Sequence, residues 1–353
     1  MAFRKKILMI NELQPGMISS DDIYFEGKIL VGKGVPITES IIEKLKKNYV
    51  IDRAEVYLGD EGQASENKVK TVKELESMIN EFSSDLEHIF NNIYALKIQG
   101  MDEVRNFSKK IQQEFVSAGT GTIIKSVAFY GSGNDTIYRH SVNVAAISFI
   151  LGKWLKLDEK ELSLMTYSAI LHDFGKTKID KDILSKEGNM NSKEYEIFKT
   201  HPVIGYNLIK QIPYLDPSVS YAVLMHHERM DGSGYPLHIK SDKIHKFAKI
   251  IAIADLFDEV SSNRYSKKIK GPFEALKVIQ EDSITKLDYN YCTVFLKHIV
   301  DYYMGENVLL NDKRSCKVIQ VEMDNLTKPL LLDNGAFLDL KKEKDLHVEK
   351  LIL

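Results

Sequence analysis

The apolar positions change their period along the chain, and the changes mark out its parts. Over residues 1–60 short β-type runs alternate with turn signals: "PGM" and "FEGK" punctuate them, and Lys28–Val31 reads as a hairpin arm for Ile23–Phe25. Thr38 stands as an N-cap before a helix with Ile41, Ile42 and Leu45 at helical spacing, and "RAEVYL" returns as a strand. The polar "DEGQASENKV" that follows is a linker. From Val72 to Val116, Leu75, Met78, Phe82, Leu86, Ile89 and Ile93 recur at three- or four-residue steps, the stripe of a long amphipathic helical stretch. Such a stripe is covered by the rest of the chain or by a second copy in a homodimer, and packing within the chain is the favoured reading. "SAGTG" ends the pattern near residue 120. Thr122 to Gly305 reads as mostly helical. After Gly305, β-type runs with Asn-Asp and Asn-Gly turns predict a sheet. The expectation is a mainly α chain with four parts: a small N-terminal α+β domain at 1–60, a linker and amphipathic helical region at 61–121, a helical domain at 122–305, and a short C-terminal β extension at 306–353.

Composition narrows the function classes. At 353 residues the chain is long enough for two or three domains, with 44% apolar and 28% charged residues, which excludes wholesale disorder and an integral membrane protein. The net charge, 48 − 50 = −2, provides no global field to hold duplex nucleic acid. Cys292 and Cys316 form no C-x-x-C pair, so neither a disulfide framework nor a thiolate metal site is expected, and a cytoplasmic location fits. The longest apolar run, Val144 to Gly152, is far short of the ~20 residues that cross a bilayer, so no membrane insertion is expected.

The chemistry concentrates in the helical domain. Seven of the ten histidines fall between His140 and His245. His140, the pair His172 and Asp173, His201, and the pair His226 and His227 are separated by 32, 29 and 25 residues, and Asp255 follows 28 residues after His227. Each interval fits one helix plus its connection, so successive donors fall on successive helices of a bundle. A lone histidine near an apolar helix is usually a packing residue; His88, His298 and His347 are read that way, and His238 and His245 match no ligand spacing. The contexts of the others point inward. Asp255 follows "IIAIA", where an unpaired carboxylate would be costly. Five imidazoles and two carboxylates without thiolates suit iron, manganese, zinc or nickel better than calcium, and exceed what one tetrahedral ion uses. "DGSGYP", with Gly232, Gly234 and Pro236, describes a tight loop just after the paired histidines, from which Tyr235 projects toward the site. Glu228 and Asp231 are read as loop-orienting rather than metal-binding.

"HDFGK" at 172–176 and "HHERMDGSGYP" at 226–236 resemble the HD-GYP family, a branch of the HD-domain metal-dependent phosphohydrolases. The second motif keeps every fixed position of HHExxDGxGYP, and the resemblance covers roughly residues 122–305. It implies an HD-type helical bundle in which His140, His172, Asp173, His201, His226, His227 and Asp255 coordinate a cluster of divalent ions, with Asp173 bridging. It also implies hydrolysis of cyclic di-GMP, an anionic bacterial second messenger, to linear pGpG and onward to GMP, with iron or manganese as the metal. Some relatives hold a third ion through a Glu four residues before the first histidine. Here Thr136 stands there, with Asp135 one residue off register, so two ions are favoured. Lys176, one turn beyond Asp173, is placed to neutralise charge on the attacked phosphate as a catalytic and substrate-binding group. Arg264 and Lys267 share one face at i and i+3 and match the family's basic segment that grips ligand phosphates. Two alternatives stand beside this reading: a cyclic GMP-AMP phosphodiesterase, and a non-catalytic protein that binds the nucleotide. The N-terminal domain is expected to engage signalling partners; its signal is not legible.

Overall fold

The computed structural model describes residues 4–14, 17–25, 28–32, 34–35, 37–48, 53–58, 71–96, 100–130, 136–186, 190–212, 215–262 and 269–352. It divides into two compact units, 1–68 and 69–353. The first contains β1 (Arg4–Met9), β2 (Ile18–Ser19), β3 (Ile23–Phe25), β4 (Lys28–Val31), α1 (Glu39–Asn48) and β5 (Arg53–Leu58). Strands β1, β5 and β2 form an antiparallel sheet in the order β1-β5-β2, while β3 and β4 pair separately as the hairpin that the turn signals anticipate. Thr38 Oγ1 accepts the Ile41 amide at 3.2 Å, capping α1 as its position suggests. Ile37, Leu45 and Val56 are fully enclosed in this unit's own core.

The second unit opens with α2 (Val72–Leu96), α3 (Gly100–Ala118) and α4 (Thr120–Tyr130). The single amphipathic stretch expected over 72–116 is thus two helices. Its stripe is covered within the unit: Leu75, Met78, Phe82, Leu86 and Ile89 are buried in the same core as the helices that follow, while the side chain of Ile93 lies outside the described residues. Gly119, at φ +79°, makes the one-residue turn between α3 and α4 that a side chain would resist. Next come α5 (Ile137–Trp154), α6 (Glu159–Leu171), a 3-10 turn at Phe174–Lys178, α7 (Lys181–Leu184), α8 (Ser192–Phe198), α9 (His201–Ile209), α10 (Pro217–Met225), α11 (Lys246–Ser261), α12 (Pro272–Asp282) and α13 (Tyr289–Tyr303). Helices α5 and α11 are buried on nearly every side and form the centre around which the others pack.

Strands β6 (Asn307–Leu310), β7 (Ser315–Gln320), β8 (Leu330–Asp333), β9 (Ala336–Asp339) and β10 (Val348–Ile352) close the chain as an antiparallel sheet in the order β10-β6-β7-β8-β9. Val308, Leu310, Val318, Leu331 and Leu351 belong to one continuous hydrophobic core with Phe273 and Tyr303 of the helices. Gly271, at φ +148°, begins α12 against β10, where a Cβ would strike the Val348 carbonyl. Among the described residues no helix is long and apolar enough to cross a membrane.

Candidate metal centre

Three helix ends build most of the site. The last carbonyls of a helix have no partner within it, and an imidazole just beyond can take one. His172 Nδ1 lies 2.7 Å from the Ala169 carbonyl, His201 Nδ1 2.8 Å from that of Phe198, and His226 Nδ1 2.7 Å from that of Val223, each three residues back. A carbonyl only accepts, so Nδ1 donates in all three rings. In the neutral imidazole Nε2 then keeps its lone pair. These lone pairs converge: His172 Nε2 is 3.2 Å from His140 Nε2, and His201 Nε2 is 3.3 Å from His226 Nε2.

His140 is oriented from α11. Its Nδ1 donates to Asp258 Oδ2 at 2.7 Å, and the other oxygen of Asp258 accepts the Asn143 amide at 2.7 Å. Thr136, where some relatives carry Glu, serves as the N-cap of α5, with Oγ1 accepting the Arg139 amide at 3.1 Å. Asp135 lies outside the described residues. Beside His140, Arg139 is buried and makes paired bonds of 2.7 and 2.8 Å to Glu76 of α2, with a further 2.8 Å bond to Asn80.

Asp173 sits at the centre. Its Oδ2 is 3.4 Å from Nε2 of both His140 and His172, while Oδ1 is 3.3 Å from His201 Nε2 and 3.8 Å from His226 Nε2. One oxygen faces each half of the site. Asp255 Oδ1 lies 3.1 Å from His140 Nε2, and its Oδ2 3.9 Å from His227 Nδ1. Donor atoms thus gather into two sets, Asp173 with His201, His226 and His227, and His140 with His172 and Asp255; within each the atoms lie within 4.8 Å of one another. All seven side chains proposed from spacing come together.

Electrostatics prepares the site for cations. Burial works to raise the Asp173 pKa, but Lys176 and His172 overcome it and hold the carboxyl well below its usual range. Burial is likewise outweighed at Asp255, first by the His140 ring against it. Burial pushes His201, His226 and His227 down, so these rings stay neutral. Among the described residues, Asp173 Oδ1 and His227 Nε2 are buried and have no hydrogen-bond partner. Neutral imidazoles, ionised carboxylates, apposed lone pairs and these two unsatisfied atoms fit divalent cations of the imidazole-binding kind, which would supply the missing charge.

The neighbouring groups fall around this centre. Lys176 Nζ is 2.7 Å from Asp173 Oδ2 and 5.0 Å from the centre of the Phe198 ring. Gly175 is required locally, because a Cβ there would run into the His201 carbonyl. The loop after His227 is fixed by Glu228, which accepts the Leu237 and Ile239 amides at 2.5 and 3.2 Å, and by Asp231, which accepts the Ser233 amide at 2.9 Å. This brings the Tyr235 ring onto His227, stacked at 4.7 Å and 24°. Arg264 and Lys267 lie outside the described residues. Sequence reasoning missed Asp258; the argument that an acid inside "IIAIADLFDEV" needs a partner applies to it as much as to Asp255.

Residues 127–290 match the HD domain family model. This stretch, a little under half of the chain, is similar to HD domains. The chain is 34% identical over 174 residues to a cyclic di-GMP phosphodiesterase of Thermotoga maritima, 48% of the chain and 47% of that protein. It is 29% identical to a 3'3'-cGAMP-specific phosphodiesterase of Vibrio cholerae, over 50% of the chain and 36% of that protein. The chain therefore spans about half or less of these relatives' own lengths. An HDG"Y"P protein of Bdellovibrio bacteriovorus shares the fold, with a TM-score of 0.54 at 16% identity, over 84% of this chain and 99% of that one.

Proposed function

We propose that the HD domain is a metal-dependent phosphodiesterase that hydrolyses cyclic di-GMP to linear pGpG and onward to GMP. One observation carries this reading: the Asp173 carboxylate turns one oxygen toward each of two donor sets, the arrangement of a carboxylate shared by two cations. His140, His172 and Asp255 would hold one ion and His201, His226 and His227 the other, with iron or manganese as the resemblance implies. Two such ions supply Lewis-acid polarisation of a phosphoryl oxygen and activation of water near neutral pH.

The chain's own groups do the rest. Nδ1 bonds to Ala169, Phe198, Val223 and Asp258 fix the rings, so that no reorganisation is needed when an anionic diester arrives. Lys176, held against Asp173, neutralises charge on the phosphoryl group. Arg264 and Lys267 grip the ligand's phosphates. Tyr235, whose hydroxyl burial keeps protonated, stands stacked on His227 as a hydrogen-bond donor for the ligand. A second substrate, 3'3'-cyclic GMP-AMP, is favoured by the likeness to the Vibrio cholerae enzyme, because metal and phosphate recognition leaves the bases unread.

The test is to load the protein with iron or manganese under reducing conditions, incubate it with each cyclic dinucleotide, and resolve the products by chromatography. Linear dinucleotide is expected, with His172→Ala and Asp173→Ala abolishing it. Activity surviving both substitutions would overturn the site; ligand binding without product would make the protein a receptor for the nucleotide instead.

A further inference from the structure

One aromatic side chain near the centre has no part in the chemistry above. Tyr195, on α8, is 47% exposed and neighbours Phe198, the one buried residue of that helix. Its ring lies nearly parallel to Phe198, 16° apart with centroids at 6.4 Å. The Phe198 ring in turn meets His201 at 5.1 Å, supports the Lys176 ammonium, and its carbonyl holds His201 Nδ1. Tyr195 is therefore the outer plate of an aromatic series that ends on a proposed ligand. Lys199, paired with Glu196 at 2.6 Å, places its ammonium 5.2 Å from the Tyr195 ring centre. The plate is held firmly: Asn191 caps α8 by accepting the Lys193 and Glu194 amides at 3.0 Å, and Glu194 returns the bond to the Asn191 amide at 2.9 Å.

We propose that Tyr195 is the stacking platform for a purine base of the cyclic dinucleotide whose phosphate lies at the metal centre. The assignment rests on the phosphodiesterase reading for the identity of the ligand. A flat base offers a π face that a rigid, partly exposed phenol ring matches without an ordering cost. Stacking does not separate guanine from adenine, so Tyr195 supplies affinity for the purine class rather than choice between bases.

The experiment is equilibrium binding of a hydrolysis-resistant phosphorothioate analogue of cyclic di-GMP to the metal-loaded full chain, read by calorimetry. Tyr195→Ala is expected to weaken the dissociation constant about tenfold, within the range that loss of one stacked base produces, while Tyr195→Phe and Tyr195→Trp restore it to within about threefold. Metal content and thermal midpoint are measured for each variant, so that a folding defect in Tyr195→Ala is recognised and the Phe and Trp variants decide. Wild-type affinity in Tyr195→Ala, or a loss in Tyr195→Phe equal to that in Tyr195→Ala, overturns the platform. A wild-type chain that binds the analogue but turns over no cyclic dinucleotide removes the phosphodiesterase reading and leaves this comparison to decide the platform. A wild-type chain that does not bind the analogue removes the platform.

Discussion

Asp258 illustrates how one side chain with no place in the donor set governs it. It is fully buried and takes both the His140 Nδ1 proton and the Asn143 amide. Without that acceptor His140 can move its proton to Nε2, which turns a metal donor into a hydrogen-bond donor aimed at the cation. Asp258→Ala should therefore weaken divalent cation binding by about 10–100-fold, the usual cost of losing an orienting partner behind a histidine ligand. Titration of metal-free protein with manganese, followed by electron paramagnetic resonance, measures it, and wild-type affinity in the variant would falsify the orienting role. Gly175 works by absence: it lets the turn bearing Lys176 rest on the first turn of α9, so Asp173 and His201 can share a centre.

Between elements, the contact with most consequence is α2 against α5. Arg139 adjoins His140 and is only 3% exposed, and Glu76 answers it through two bonds. A buried pair of this kind contributes little net stability against an apolar replacement, yet breaking one half leaves an uncompensated charge. Glu76→Ala is expected to cost about 3–5 kcal/mol in denaturant unfolding, whereas Glu76→Leu combined with Arg139→Met should recover most of that loss. Equal destabilisation of the single and double variants would show that packing, not charge, sets the cost. The amphipathic pattern of α2 was legible because each turn repeats the same demand for cover. Its division from α3 was not, since both helices carry the same period and Gly100, the break signal at the boundary, is a residue that helices also tolerate in their interior.

At the scale of the whole unit, the C-terminal strands are part of the core that supports the site. Val308, Leu310, Val318, Leu331 and Leu351 pack into one body with Phe273 and Tyr303, which in turn adjoin the helices around α5 and α11. Ending the chain after Gly305 would expose that apolar surface, at roughly 25 cal/mol per Å². The shortened protein is expected to lose cooperative unfolding and to bind a hydrophobic dye, measured by calorimetry and dye fluorescence; a sharp transition at the wild-type temperature would refute it. Sequence alone determined the mainly α class, the hairpin at Ile23–Val31, and the seven candidate donors with their order along the chain, because periodicity, turn chemistry and donor spacing are properties of local segments. Tertiary structure decided what no segment carries. It set which Asp173 oxygen faces which half of the site, it supplied Asp258 from α11 and Glu76 from α2 as partners for α5, and it joined the last sheet to the helical core. Each of these depends on distances between groups far apart in the chain, and only folding fixes those distances.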